Sequence, residues 1–132
     1  MKIFTLKTNH RTEFINIDKF IKEALNESDL KEGIVCVYVP HTTAGVTINE
    51  NADPDVVHDL AQTLDLLIPW NGKYRHSEGN SPAHVKASLI GSSVQLIVHK
   101  GDLVLGTWQS VYFCEFDGPR TRKFYVKIIK GE

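Results

Sequence analysis

One uninterrupted apolar run constrains the fold most strongly. Residues 34–39 are apolar at every position, and Pro40 follows directly. Proline has no N–H to donate to a strand ladder, so the run ends there. A short run of this kind is typical of a strand that is buried on both faces. We therefore predict a sheet that is covered on both sides at this strand.

Segments on either side of this run also have the patterns of strands. Residues 1–8 and 12–17 alternate between apolar and polar side chains around a turn, which predicts a hairpin. Further strands are predicted over residues 92–99, 103–116 with a break at Gly106, and 123–130.

Three helices are predicted in the middle of the chain. Asp18 can cap a helix over residues 19–26. Two more helices begin where an N-cap residue precedes a proline, over residues 54–67 after Asp53 and over residues 82–90 after Ser81. Strands at both ends and helices between them predict an α+β fold with a mostly antiparallel sheet. The sheet has six or more strands and could curl into a barrel.

Length and composition favour a single soluble domain over residues 1–132. The chain is 42% hydrophobic and 23% charged, with a net charge of −1, so nothing indicates nucleic-acid or membrane binding. The first residues have the pattern of neither a signal peptide nor a membrane span. Cys36 and Cys114 lie in apolar segments, which favours reduced thiols over a disulfide and predicts a cytoplasmic location.

Two polar segments next to predicted helix starts are interpreted as halves of one site. Residues 41–54 begin with His41 and continue with amides and acids. Residues 74–84 contain His76 and end with His84, in the first turn of a predicted helix. Unpaired N–H groups there favour a neutral imidazole and can bind phosphate. We expect the two segments to converge, with His41 and His84 in one pocket.

The histidines and carboxylates of these segments suggest a metal site. His41, His76 and His84 with a carboxylate would suit zinc or a similar ion, although their spacing matches no sharp zinc motif. Glu50, Asp53 or Glu78 could hold a hard cation such as Mg²⁺. The alternative is that the histidines cap loops or bond to backbone. His99, at another strand end, could approach the site from a third side.

Charged residues near the end of the chain suggest a possible anion site. Arg120 follows a Gly-Pro turn, where it could bind phosphate or remain solvated. We interpret Arg122 and Lys123 as ordinary surface charges. Glu115 shares a strand face with apolar residues, where a carboxylate is unusual.

Several ordered blocks resemble one known family. The blocks are residues 41–46 (HTTAGV), 49–54 (NENADP), 75–76 (RH), 81–88 (SPAHVKAS) and 106–109 (GTWQ). They resemble the YjbQ family, also named secondary thiamine-phosphate synthase, and the resemblance covers nearly the whole chain. It implies a compact α+β fold, a homotrimer and a side activity. That activity couples a pyrimidine diphosphate to thiazole phosphate and releases pyrophosphate.

The expected site residues follow from the polar clusters and the family blocks together. The expected catalytic residues are His41, Glu50, His84 and Glu115. The residues expected to bind substrate or phosphate are Asn49, Trp108, Gln109 and Arg120. The expected ligands of a divalent metal, Mg²⁺ or Zn²⁺, are His41, His76 and His84. Such cations would neutralise a leaving pyrophosphate.

Two alternative functions remain open. The protein could bind a metal or a phosphorylated metabolite without turnover, or it could be a metal-dependent phosphate-ester hydrolase. The sequence has no Walker motif, no dinucleotide-binding glycine motif and no Gly-x-Ser-x-Gly, which argues against nucleotide-loop enzymes and serine hydrolases of those types.

Overall fold

The structure is a computed structural model that describes residues 1–131. The predicted α+β class is confirmed, and the strand pairs are antiparallel. In chain order the elements are β1 (Lys2–Lys7), β2 (Glu13–Asn16), α1 (Asp18–Ser28), β3 (Gly33–Tyr38), β4 (Ala44–Glu50), α2 (Pro54–Leu67), α3 (Ser81–Ile90), β5 (Ser93–His99), β6 (Asp102–Leu103), β7 (Gln109–Glu115) and β8 (Thr121–Lys130).

The strands are divided between two sheets. The larger sheet has the order β1-β8-β3-β5-β6, and the smaller has the order β2-β7-β4. The predicted hairpin of the first two strands is wrong, because β1 pairs with β8 and β2 pairs with β7. The chain crosses from one sheet to the other between them, at Thr8, whose N–H donates to the carbonyl of Arg120.

The strand that is buried on both faces is β7, not β3. Val35 and Val37 of β3 are fully buried, but Ile34 and Tyr38 on its other face are 44% and 46% exposed. The prediction of two-sided burial for β3 is therefore wrong within one chain. β7 is buried on both faces because each face packs against a different layer of the molecule.

Two hydrophobic cores lie on the two sides of β7. The first fills the space between the two sheets and α1, and includes Phe113 and Phe124. The second joins the other face of β7 to α2 and α3, and includes Tyr112, Leu64 and Ala87. The molecule is thus layered as large sheet, first core, small sheet, second core and a helical layer.

The residues that begin the helices differ in part from the sequence predictions. Asp53 caps α2 as predicted, accepting the N–H of Asp55 at 2.9 Å. The predicted capping role of Asp18 is wrong, because its carboxylate accepts the hydroxyl of Ser110 at 2.7 Å and the N–H of Val111 at 2.8 Å. This places Asp18 between α1 and β7 rather than at a free helix end.

Helix α3 packs closely against β4. A Cβ at Gly45 would lie 2.5 Å from the carbonyl oxygen of Gly91, so a larger residue there would separate the two elements. The N–H of Val46 donates to that same carbonyl at 3.1 Å. This close approach holds α3 beside the segment that joins β3 to β4.

Candidate functional site

His41 is fixed at the end of β3 by a hydrogen bond to β8. β3 ends at Tyr38, which is paired with Tyr125, and β8 continues beyond that point. The backbone N–H of Lys123 lies in this extension and donates to Nε2 of His41 at 3.0 Å. The imidazole is therefore held by the larger sheet although it lies outside any strand.

This bond determines which nitrogen of His41 carries the proton. Because Nε2 accepts a backbone N–H, the neutral ring carries its hydrogen on Nδ1. Partial burial and the charge of Arg122 lower the pKa of His41 below its ordinary value of 6.5, which favours the neutral ring. His41 is thus arranged as a hydrogen-bond donor through Nδ1.

His84 lies in the first turn of α3, close to His76. The helix begins one residue earlier than predicted, with Asn80 at its N-cap, and the carbonyl of Asn80 accepts the N–H of Ala83 at 3.0 Å. The rings of His76 and His84 meet edge to face, with centroids 5.4 Å apart. In residues 1–131 neither ring has a hydrogen-bond partner, so both are available to a ligand.

Three adjoining cavities bring the histidines together. His41 and His84 line a cavity of about 340 Å³, His84 and His76 line a second of about 420 Å³, and His76 continues into a third of about 470 Å³ beside Trp70. The prediction that His41 and His84 share a pocket is confirmed. We call the three together the histidine groove, lined by residues 41–42, 44, 70–76, 79, 81, 84–85, 87–88 and 91–92.

The lining of the histidine groove is basic. Among residues 1–131, none that lines the groove is Asp or Glu, whereas Lys73 and Arg75 both contribute. Lys73 was missed from the sequence, although a lysine directly before Tyr74-Arg75-His76 was a usable signal. The groove therefore offers hydrogen-bond donors and positive charge to a ligand, and no negatively charged side chain from residues 1–131.

Arg120 lies beside the groove but is tied to its own turn. Its Nε and Nη2 donate to the carbonyl and carboxylate of Asp117, each at 2.9 Å. The same carboxylate accepts the amide of Asn80 at 3.0 Å, which links this turn to the start of α3. After burial and Arg122, the charge of Arg120 contributes to the lowered pKa of His41. Arg120 is thus near enough to act on the groove electrostatically.

Glu115 and Arg122 form a buried ion pair. The interpretation of Arg122 as a surface charge is wrong, because the residue is 2% exposed and Glu115 is fully buried. Arg122 donates through Nε to Glu115 Oε1 at 2.8 Å and through Nη2 to Oε2. Thr8 and the N–H of Asp117 also donate to the carboxylate, at 2.7 and 3.0 Å.

These contacts leave Glu115 without access to a ligand. Burial alone would raise the pKa of its carboxyl, but the bonds from Arg122, Asp117 and Thr8, with the charge of Arg122, lower it overall. An acid or base in a reaction must come within hydrogen-bond reach of the reacting group. The geometry supports a structural role for Glu115, and its catalytic role stays an unsupported prediction.

β4 separates the remaining predicted residues from the histidine groove. Residues 44–50 pair with β7 along their whole length, so the interpretation of 41–54 as one loop is wrong. At about 3.4 Å per residue the strand carries Asn49 and Glu50 roughly 20 Å from its start. Gln109 lies opposite Glu50, and the carbonyl of Trp108 accepts the N–H of Asn51 at 2.9 Å. These four predicted residues, Asn49, Glu50, Trp108 and Gln109, thus lie together at the far end of β4.

His99 also lies away from the groove. Its Nδ1 is 3.0 Å from a carboxylate oxygen of Glu32, in a cavity lined by Ile34 and Ile97. The expectation that His99 approaches the site from a third side is wrong, because β5 carries it to the end of the sheet opposite His41.

The histidines do not form a complete metal site. In the described chain, no group of three or more His, Cys, Asp or Glu side chains lies close enough to hold an ion. A neutral His41 that accepts through Nε2 has no lone pair left on Nδ1 for a metal. Metal binding by His41, His76 and His84 therefore stays a prediction.

Within residues 1–131 the structure has no helix that is long and apolar enough to cross a membrane.

Two proteins from other organisms are similar to this chain over nearly its whole length. The chain is 56% identical over 126 residues to UPF0047 protein MJ1081 of Methanocaldococcus jannaschii, covering 96% of this chain and 91% of that protein. It is 49% identical over 130 residues to UPF0047 protein YugU of Bacillus subtilis, covering 98% of each.

Solved structures show the same similarity. A YjbQ/UPF0047 family protein of Clostridium acetobutylicum superimposes with a TM-score of 0.97 at 55% identity, over 98% of this chain and 100% of that one. A protein of Aeropyrum pernix superimposes with a TM-score of 0.94 at 35% identity, over 98% of each chain. The family model described as "UPF0047 protein YjbQ-like" matches residues 2–131. The chain therefore belongs to the YjbQ-like UPF0047 family.

Proposed function

We propose that the histidine groove binds the phosphate or diphosphate group of a small metabolite. The observation that carries this proposal is the composition of the lining: over the described part of the chain, three histidines, Lys73 and Arg75 occur without a carboxylate. The whole chain has 16 acidic and 15 basic residues, so an acid-free groove of this extent departs from its average surface. Grooves lined by one sign of charge concentrate ligands of the opposite sign.

Each histidine has a distinct part in this proposal. His41 presents an Nδ1–H donor, and the backbone N–H of Lys123 fixes the ring by donating to its other nitrogen, Nε2. His84 and His76 add rings that make no hydrogen bond to the described residues 1–131, next to the first turn of α3, where N–H groups and the helix dipole favour anions. Oxygens of a phosphate accept such donors in strong charge-assisted hydrogen bonds.

Calorimetric titration with inorganic pyrophosphate tests the binding proposal. Losing one hydrogen bond to a charged group costs about 1.5–3 kcal/mol, so His84→Ala should weaken the affinity by about 10-fold or more. His58→Ala is the matched control, because His58 is an exposed histidine on α2 that lines no part of the groove. Equal affinities for these two variants, or no binding by the wild-type protein, would reject the proposal.

We further propose that the reaction at this groove is the coupling of a pyrimidine diphosphate to thiazole phosphate, as a side activity. The support is chemical: donors and cations of the groove would stabilise the negative charge that develops on the departing pyrophosphate. An assay of pyrophosphate release from the two precursors tests it. Release should depend on both precursors and fall in His41→Ala. Release at the uncatalysed rate would remove the reaction but not the binding site.

A second candidate function is binding of a divalent cation. It is favoured by the edge-to-face approach of His76 and His84, whose rings have no protein partner in residues 1–131. Zinc should then raise the melting temperature of the wild-type protein but not that of His76→Ala. An equal shift in both would place the ion elsewhere.

We also propose that the chain assembles as a homotrimer. Exposed apolar side chains support an interface: Ile34, Tyr38, Ile97 and Ile129 on the outer face of the larger sheet are 44–62% exposed, and Leu66 and Leu67 on α2 are 76% and 69% exposed. Such patches mark protein contacts. A neighbouring copy could also bring its Glu50 and Trp108 to the groove, which β4 prevents within one chain. Sedimentation showing a monomer at micromolar concentration would contradict this assembly.

A cytoplasmic location completes the proposal. Cys36 and Cys114 are both free thiols, and reducing compartments keep thiols in that state. Recovery of the native protein in a cytoplasmic fraction would support this location, and recovery with periplasmic or secreted proteins would contradict it.

A further inference from the structure

The segment that carries His41 is attached to the buried ion pair. Thr43, two residues after His41, is 5% exposed, and Nη2 of Arg122 donates to its hydroxyl at 2.8 Å and to its carbonyl at 3.2 Å. Arg122 itself is held by Glu115, which accepts from Nε at 2.8 Å. The guanidinium therefore connects the interior of the sheet to the chain just after His41.

The next residue on β8 contacts the imidazole directly. The N–H of Lys123, which follows Arg122 in β8, donates to Nε2 of His41 at 3.0 Å. Arg122 thus holds the chain next to His41 through Thr43, while the Lys123 N–H of the same strand holds the ring itself. An imidazole without these restraints could turn, and it could adopt either neutral tautomer.

We propose that Arg122 is a positioning residue, which anchors Thr43 so that His41 stays within reach of the Lys123 N–H and is held as an Nδ1–H donor in the histidine groove. The effect of this positioning on ligand binding rests on the proposed function, because an Nδ1–H donor suits an oxyanion and not a cation. A planar guanidinium can reach Glu115 and Thr43 at the same time, whereas a lysine ammonium is a compact charge without that fork. This difference allows the positioning role to be separated from the ion pair itself.

Nitrogen NMR of ¹⁵N-histidine-labelled protein near pH 7.5 tests the proposal. His41 resonances are assigned by their loss in His41→Ala, and wild-type His41 should be the Nδ1–H tautomer. Arg122→Lys keeps a positive charge next to Glu115, and Thr43→Val removes only the hydroxyl acceptor. Both variants should mix the two His41 tautomers and weaken pyrophosphate affinity by about 3- to 10-fold, less than His84→Ala, because the His41 ring is displaced rather than removed. Lys127→Met, on an exposed lysine of the same strand, should match the wild-type protein.

Each outcome decides the proposal. An Nε2–H tautomer in the wild-type protein would overturn it, and so would an unchanged His41 tautomer in both folded variants. If Arg122→Lys does not fold, Thr43→Val alone decides. If the tautomer changes as expected but wild-type protein does not bind pyrophosphate, the positioning role stands and the proposed function fails.

Discussion

The buried Glu115–Arg122 pair and the histidines of the groove differ in how their hydrogen bonds are satisfied. The carboxylate of Glu115 accepts four donors and is shielded from solvent. The rings of His76 and His84 have no partner in residues 1–131 and line an open groove. A saturated polar group stabilises the fold, whereas an unsaturated one is available to a ligand. Residue type alone would have assigned both groups to a site.

Breaking the buried pair should have the largest effect on stability. Arg122→Ala or Glu115→Ala leaves an uncompensated buried charge, which typically costs about 3–5 kcal/mol. Urea denaturation measures this loss, with Lys127→Ala as a surface control that should stay within about 0.5 kcal/mol. A loss below about 1 kcal/mol in both pair variants would show that the saturated group is not structural.

Acidification should weaken the fold over two pH ranges. Because burial and Arg122 lower the pKa of His41, the unfolded chain binds a proton at that residue more readily, and stability falls as the pH drops below 6.5 through the folded pKa. Glu115 likewise has a lowered pKa, so its contribution is present above 4.5 and is lost as the pH falls through the folded value. Urea midpoints measured between pH 7.5 and pH 3 give the stability that is lost in each of the two pH ranges. If His41→Ala keeps the wild-type slope below pH 6.5, the histidine does not contribute.

A third buried charge has a single carboxylate partner and should have an intermediate effect. Lys86 on α3 is 1% exposed, and its ammonium donates to Asp65 of α2, whose side chain is 60% exposed. Removing one partner of a buried polar group costs about 1–3 kcal/mol. Asp65→Ala should therefore destabilise more than Asp59→Ala on the same helix, whose carboxylate is 75% exposed. Equal unfolding free energies for the two variants would contradict this.

Truncating the groove histidines should affect stability least. His76→Ala and His84→Ala remove rings that make no hydrogen bond within residues 1–131 and contact each other edge to face, so each should change the free energy of unfolding by about 0.5 kcal/mol or less. Thermal denaturation checks this, with His58→Ala for comparison. A loss above about 2 kcal/mol would place the rings among the structural groups.

The local elements of this fold were predictable, but their partners were not. Period-2 alternation and the Asp53-Pro54 cap predict strands and helices because these signals depend on neighbouring residues. Strand pairing depends on contacts distant in sequence, such as Leu6 with Arg122, and no local pattern specifies them. The apolar run of β3 likewise identifies a strand without saying that one face is exposed.

The sequence predicted only part of the candidate site. His41 and His84 were brought together as expected, because each lies at the end of an element that its local sequence defines. The burial of Arg122 was missed, although alternation along β8 places it on the same face as Phe124 and Val126. Glu115 faces the interior by the same rule, so two opposite charges on inward strand faces were the usable signal. The distance between His41 and Glu50 depended on recognising β4 as a strand.

A single phosphate titration followed by histidine NMR tests the central claim most directly. The chain has six histidines. His41, His76 and His84 line the groove, whereas His10, His58 and His99 do not. With inorganic pyrophosphate, the groove histidines should shift together along one binding curve while the other three stay unchanged. Uniform small shifts at all six, or saturating shifts confined to His10, His58 and His99, would contradict an anion site in the histidine groove.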